Sequence, residues 1–238
     1  MANAYYQPGE QRAARVSDLF GRIAPRYDLI NDLQSFGLHR LWKRRLVQLA
    51  QPKPGTRALD LCCGTGDIGF ALARRGAEVV GLDFSEPMLA VARRRAASSS
   101  LRVPEFMRGD AMAVPFPDNS FDIVTMGYGL RNLSRWEDGL REMLRVAKPG
   151  GRVLVLDFGK PMNVLWRAAY FTYLRACVPV FGLAFARDAA AYVYILESLR
   201  HFPAQHGVAA QMRELGCHDV RVFEPLGGVM GLNFGVKA

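Results

Sequence analysis

From Pro52-Lys53-Pro54-Gly55 onward, short apolar runs alternate with stretches whose apolar residues recur three or four positions apart. Such alternation predicts strands joined by crossover helices in an open, mostly parallel α/β sheet. The predicted strands are 57–61, 78–82, 105–108, 121–126, 152–157, 220–223 and a last one near 231–236, with helices between most of them. Residues 10–50 instead keep helical spacing throughout. Val16, Leu19, Phe20 and Ile23 recur on one face, and Pro25 is expected to stop that helix. An N-terminal helical segment, 1–51, is therefore expected ahead of the sheet.

The simple alternation is lost at 160–205, a segment rich in Trp, Tyr and Phe that separates two predicted strands. It reads as a helical insertion within one domain of 238 residues, and as the place where substrate choice resides. Trp166, Tyr170 and Tyr173 share one helical face, with Val164, Leu165, Phe171 and Leu174 adding apolar surface. The stretch 163–186 approaches membrane-spanning length. Arg167 and Arg175 interrupt it, and Pro179 and Gly182 are expected to break its second half, so no transmembrane helix is predicted.

The formal net charge of +9 admits nucleic acid, an anionic membrane surface or an acidic metabolite as partner. Its short clusters, such as Lys43 to Arg45 and Arg93 to Arg95, are expected on solvated helix faces. Cys62, Cys63, Cys177 and Cys217 form no C-x-x-C pair and have no histidine at ligand spacing, which indicates neither a zinc site nor a disulfide framework. A reducing cytoplasm fits them best. The polar first residues contain no apolar stretch of the kind a secretory signal needs.

Candidate chemistry begins where the strand 57–61 runs into Cys62-Cys63-Gly64-Thr65-Gly66-Asp67. A glycine-rich turn between strand and helix lets a ligand approach the backbone closely. The run also matches G-x-G-x-x-G, so a dinucleotide is the first alternative. Asp60 and Asp67, however, flank the place a pyrophosphate would occupy, and like charges repel. S-adenosylmethionine brings an ammonium and a sulfonium instead, which carboxylates stabilise. Asp83 follows the second strand, where it can accept hydrogen bonds from ribose hydroxyls, and Phe84 beside it can pack on adenine. Asp110 is placed after the third strand to accept from the adenine amino group, with Ala111 leaving room for the ring. Gly64 and Gly66 of the turn complete the cofactor set that the residues themselves suggest.

With those residues in place the chain resembles class I methyltransferases, and more narrowly the ubiquinone/menaquinone biosynthesis C-methyltransferase family. The resemblance is carried by Tyr27-Asp28 through Asn31-Asp32, Ser35-Phe36-Gly37-Leu38-His39-Arg40-Leu41-Trp42-Lys43, Leu59-Asp60 through Gly64-Thr65-Gly66-Asp67, Pro115-Phe116-Pro117-Asp118, Gly129-Leu130-Arg131-Asn132 and Arg145-Val146 through Lys148-Pro149-Gly150-Gly151. It covers nearly the whole length. It implies a Rossmann-like seven-stranded sheet with helices on both faces, S-adenosylmethionine as methyl donor, and methylation of a ring carbon in a membrane-dissolved polyprenyl quinol. No metal is implied. The family's cofactor contacts match Thr65, Asp83, Asp110 and Ala111, while Asp110 stands where many relatives carry asparagine and Gly127 where some carry serine. In the segment Ala186-Arg187-Asp188 through Tyr192, Tyr194 and Ser198, Arg187 is a departure.

A quinol carbon becomes nucleophilic when its neighbouring hydroxyl loses or shares its proton, so an acceptor or phenolate-stabilising group is needed near the ring. Arg131 is the first choice, since a guanidinium favours phenolate character. Tyr27 and His39, with Asp28, are further candidates for contacting a quinol hydroxyl, and Asp157 reads as a strand-end cap. The insertion and the N-terminal helices are expected to roof the cofactor as a lid. Arg167 and Arg175 would then meet anionic lipid at the inner face of the membrane. Three other readings remain at this point: a nucleic-acid methyltransferase, for which the Asn/Asp/Ser-Pro-Pro-Tyr/Phe pattern is missing at 127–132; a non-catalytic cofactor-binding partner; and a nicotinamide-dependent oxidoreductase. A homo-oligomer is compatible with the sequence.

Overall fold

The computed structural model describes residues 18, 21, 24, 27–186 and 190–238, the side chains of 177–186 and 190–195 excepted. The helix predicted around Val16, Leu19, Phe20 and Ile23, its stop at Pro25, and Arg187 and Asp188 lie outside the described residues, as do the side chains of Tyr192 and Tyr194. Helices α1 (Tyr27–Ser35) and α2 (Leu38–Ala50) lead into β1 (Arg57–Leu61), α3 (Asp67–Ala73), β2 (Glu78–Asp83), α4 (Glu86–Ala97), β3 (Glu105–Arg108) and β4 (Phe121–Gly127). A 3-10 turn at Leu130–Asn132 precedes α5 (Trp136–Val146) and β5 (Ala147–Phe158). Three helices, α6 (Val164–Ala186), α7 (Ala190–His201) and α8 (Ala204–Glu214), separate β5 from β6 (Cys217–Phe223) and β7 (Met230–Lys237).

The seven strands form one sheet in the order β3-β2-β1-β4-β5-β7-β6. It is parallel from β3 to β5, and β7 runs antiparallel between β5 and β6. The expected mostly parallel, seven-stranded sheet is the one found. Two strands start earlier than their apolar runs do. β5 takes in Lys148-Pro149-Gly150-Gly151 because Ala147 pairs with Phe121 across an irregularity in the register, and β6 gains Cys217 and His218 by pairing with Lys237 and Val236.

Period-two alternation sends successive side chains of a buried strand into opposite layers. In β5, Val153 and Val155 join the layer containing Met143 of α5, Leu199 of α7 and Met212 of α8. Leu154 and Leu156 join Leu46 and Val47 of α2 and Leu72 of α3 on the other face. Helices cover both faces, as expected. Each fully buried leucine contributes about 1.5–3 kcal/mol through removal from water, so both layers hold the strand ends rigidly.

The predicted break in the second half of the long apolar stretch does not occur. α6 continues as one helix of 23 residues through Pro179 and Gly182. More than three turns precede Pro179, so the helix is past its costly nucleation step and the proline removes one interior bond without ending it. Among the described residues no helix is long and apolar enough to cross a membrane. Tyr170 and Leu174 are buried, whereas Val164, Leu165 and Trp166 at the start of the helix are exposed.

Candidate functional site

The strand order reverses at β1, which has β2 on one side and β4 on the other. Loops leaving β1 and β4 therefore diverge at the carboxyl edge, the place where open α/β sheets bind ligands. A cleft of about 760 Å³ opens there, bordered by the ends of β1, β2, β3 and β4. A second cavity of about 330 Å³ adjoins it, sharing Tyr27, Cys62, Gly64, Gly127 and Tyr128. No lysine or arginine is among the described residues bordering the larger cleft, while Asp83 and Asp110 are.

The backbone holds both of these carboxylates. One oxygen of Asp83 accepts from Gly64 N–H and the other from Ser85 N–H, each at 2.8 Å. Burial raises the Asp83 carboxyl above the usual range, and those N–H groups pull it back. Asp110 accepts from Met112 N–H at 2.8 Å. Each fixed oxygen retains a lone pair for a ligand hydroxyl or amine. Phe84 and Ala111 border the same end of the cleft, and Arg108 lies over the Phe84 ring at 5.5 Å. All four sequence-derived residues of the adenosine end are thus gathered in one place.

The charges at the glycine turn are arranged differently from the sequence reading. Asp67 is not left for a cationic ligand alone: Lys43 Nζ and Arg95 both reach it at 2.8 Å. Burial opposes its charge, but the two cations win and hold the carboxyl down at about 2. Lys43 consequently leaves the solvated face on which its cluster was expected, whereas Arg95 reaches Asp67 from a side chain still more than a third exposed. Asp60 lies beneath the turn, 1% exposed. Its oxygens accept from Thr125 Oγ1 at 2.7 Å and from Gly69 N–H at 3.1 Å, and burial pushes it up to about 7. Both acids border the smaller cavity, together with Lys43.

Thr65 donates to Asp28 of α1 at 2.9 Å, and Arg95 bonds both Asp28 and the Thr65 carbonyl. The turn is therefore buttoned to α1 by side chains. Gly66 borders neither cavity. Its φ of +90° and the Phe106 and Phe70 rings, 2.7 and 2.9 Å from where a Cβ would stand, make it a packing position under the turn. Gly127 borders both cavities, and a Cβ there would stand 2.5 Å from Ile68 Cδ1.

Of the three candidates for substrate chemistry, only Tyr27 borders the cleft. Burial pushes its phenol up to about 12, against the opposing influence of Asn31 and Arg131. Arg131 does not border the cleft, standing one layer behind it at 5% exposure. Its backbone N–H and guanidinium both bond Asp157, at 3.1 and 3.2 Å, and the guanidinium sits 4.6 Å from the Phe158 ring centroid. Asp157 is raised by burial and lowered by Arg131. The structure does not bring His39 to the site. Its Nδ1 lies 2.8 Å from Ser35 Oγ across the α1–α2 corner, and burial lowers its pKa.

Sequence reasoning missed Tyr128, Asn132 and Ser85, all of which border the cleft. Ser85 is the N-cap residue of α4, yet its hydroxyl makes no cap bond. Tyr128 has a φ of +61° that no pattern announces. Among the described residues no group of three or more His, Cys, Asp or Glu is placed to hold a metal.

Residues 8–237 match the ubiE/COQ5 methyltransferase family. The chain is 42% identical to the ubiquinone/menaquinone biosynthesis C-methyltransferase UbiE of Ectopseudomonas mendocina (strain ymp), covering 97% of this chain and 91% of that protein. It is also 42% identical to the demethylmenaquinone methyltransferase of Desulfitobacterium hafniense (strain Y51), over 96% of this chain and 92% of that one. Among solved structures, a SAM-dependent methyltransferase from Thermotoga maritima, described as a possible histamine N-methyltransferase, superposes with a TM-score of 0.68 at 19% identity, covering 94% of this chain and 100% of that one. One from Aquifex aeolicus gives 0.63 at 19% identity, over 89% and 98%. These likenesses establish the class I fold. The match over nearly the whole chain places it in the ubiE/COQ5 methyltransferase family, as a methyltransferase dependent on S-adenosylmethionine.

Proposed function

We propose that this protein methylates a ring carbon of a membrane-dissolved polyprenyl quinol, demethylmenaquinol or the corresponding benzoquinol of ubiquinone biosynthesis. The observation that carries the reading is the switch-point cleft, with two backbone-held carboxylates and no cation among the described residues that border it. A pyrophosphate would be repelled there, whereas a nucleoside with a cationic sulfur is not. The relatives' activities on quinones supply the acceptor class.

Asp83 would accept from the ribose hydroxyls, Asp110 and Ala111 would seat the adenine, and the smaller cavity would take the amino-acid end, with Lys43 facing its carboxylate and Asp60 its ammonium. The bound cofactor supplies an already activated methyl group. What the chain must add is orientation and a way to draw the proton from a ring hydroxyl. Tyr27 borders the junction of the two cavities, and Arg131 behind Tyr128 favours phenolate character at the ring without contacting the cleft. The Arg131–Asp157 pair is itself fixed, so the positive end keeps its position.

In this reading α1 and the insertion roof the site, tied together by Tyr173 Oη donating to the Gln34 carbonyl at 3.1 Å. Exposed Leu29 on α1, Phe36 in the turn after it and Leu41 on α2, with Leu165 and Trp166 on α6, supply apolar surface for a cytoplasmic protein working at the inner membrane face. Sedimentation with anionic liposomes checks that part: substituting Arg167 and Arg175 together lowers binding, and unchanged binding removes the lipid role for these arginines.

The decisive assay incubates the purified chain with methyl-labelled S-adenosylmethionine and reduced demethylmenaquinol or demethylated benzoquinol in detergent. Label on a ring carbon is the expected result, and the marked quinol names the pathway. Cofactor binding without label in either quinol would remove this substrate class and turn attention to other acceptors.

A further inference from the structure

Three side-chain atoms of residues bordering the cleft, Ser85 Oγ, the Tyr128 hydroxyl and Asn132 Oδ1, are buried with no hydrogen-bond partner among the described residues. The last two belong to the turn after β4. The carboxamide is oriented by its own chemistry. Asn132 Nδ2 donates to the Tyr128 carbonyl at 2.9 Å, and because a carbonyl oxygen only accepts, the nitrogen must face it and the oxygen is the end left over.

The Tyr128 ring is fixed separately. It meets Phe158 edge-on at 5.9 Å between centroids, Lys43 Nζ lies 5.8 Å from its centroid, and its backbone N–H bonds the Leu156 carbonyl at 2.6 Å. A φ of +61° is sparsely populated for a residue with a side chain and persists only when the surroundings hold it. The turn thus holds a phenol donor and an amide acceptor against the cleft wall in a strained conformation. Burial without partners is unfavourable for both, so a ligand that satisfies both gains more than one that satisfies either.

We propose that Tyr128 and Asn132 read the oxidation state of the acceptor ring, the phenol donating to a ring oxygen and Asn132 Oδ1 accepting the hydrogen of a ring hydroxyl. This rests on the quinol reading above. A quinol satisfies both atoms. A quinone carbonyl can accept from Tyr128 but has no hydrogen to give, so it strands Asn132 Oδ1, and a site built to bond a hydroxyl rejects an analogue lacking one. The selection suits the reaction, since the reduced ring is the one with a nucleophilic carbon.

The test uses the full chain loaded with S-adenosylhomocysteine, which cannot react, and compares anaerobic binding of a short-prenyl demethylmenaquinol with that of its oxidised quinone. The native chain is expected to favour the reduced form by about tenfold. Asn132→Leu should bring that ratio close to one by weakening the quinol alone. Tyr128→Phe, which removes one oxygen and keeps the ring, should weaken both forms several-fold, and for each variant the loss in ring binding should exceed any loss in affinity for S-adenosylmethionine measured by itself. A native ratio of one, a ratio that survives Asn132→Leu, or losses that appear in cofactor binding instead would overturn the assignment. If Asn132→Leu does not fold, the Tyr128→Phe arm decides, and unchanged quinol affinity there rejects it. The labelled assay separates the two levels: turnover without redox preference removes this inference alone, and no turnover on either quinol removes the reading beneath it.

Discussion

The two ends of the cleft are built by different means. At the end proposed for adenosine, Asp83 and Asp110 stand at the ends of successive strands and are fixed by N–H groups within a few residues or at the adjoining turn. At the end proposed for the acceptor, Asp157 of β5 holds Arg131 of the turn after β4, and at the glycine turn beside it Asp28 of α1 holds Thr65. The bonds from Ser85 and Met112 need only a strand and its own turn to form, and the Gly64 bond adds only the neighbouring turn after β1. The acceptor end needs the whole fold, so it should be the more sensitive to losing one partner.

The sharpest way to test that contrast is at Asp157. Asp157→Ala leaves the Arg131 guanidinium buried without its counter-charge and should destabilise the chain by about 3–5 kcal/mol, read from urea or thermal melts. A change below about 1 kcal/mol would show that the acceptor end does not depend on this pair. Asp83→Ala should affect the other end in a different quantity: cofactor affinity by calorimetry falls about a hundredfold through loss of charge-assisted bonds, with a much smaller change in stability. Equal losses in both quantities would erase the distinction between the ends.

Smaller effects separate the two acids of the glycine turn by pH. Asp60 is raised from 3.8 to about 7, so its contribution to stability is fully present below pH 3.8 and is lost as pH rises towards 7 in the cofactor-free chain. Asp67 is lowered from 3.8 to about 2, so its contribution is present above pH 3.8 and is lost as pH falls towards 2. Stability profiles of Asp60→Asn and Asp67→Asn should each flatten in the corresponding window, and flattening in the other window would reverse the assignments. The mildest expected change is Thr65→Val, which removes the bond to Asp28 and should reduce stability by about 1 kcal/mol and increase hydrogen exchange in α1.

Most of the sheet was legible in the sequence because a strand buried on both faces announces itself by a continuous apolar run, as in β1, β4 and β5. The ends of β5 and β6 were not, since Ala147 and Cys217 became strand residues through partners far along the chain. The three strand-end acids could be found for the same local reason: strand, turn and helix start lie together in sequence, with Asp60 in the last positions of β1, Asp83 ending β2 and Asp110 just beyond β3. Charge pairing escaped that logic. Lys43 and Arg95 read as solvated, yet crossing α2 and α4 over the glycine turn brought both onto Asp67. His39 illustrates the converse, a residue in a distinctive block that the α1–α2 corner turned towards Ser35 and away from the cleft.

The sequence by itself determined the strand and helix pattern, the glycine turn, the acids at the strand ends and hence the cofactor class, because each depends on spacing within one strand-turn-helix unit. Only the tertiary structure decided which carboxylates already hold a protein cation, that Arg131 stands behind the cleft with Asp157, and that the Tyr128 hydroxyl and Asn132 Oδ1 are buried beside it with no partner among the described residues. Those outcomes depend on distances between segments far apart along the chain, which packing sets and local spacing does not encode.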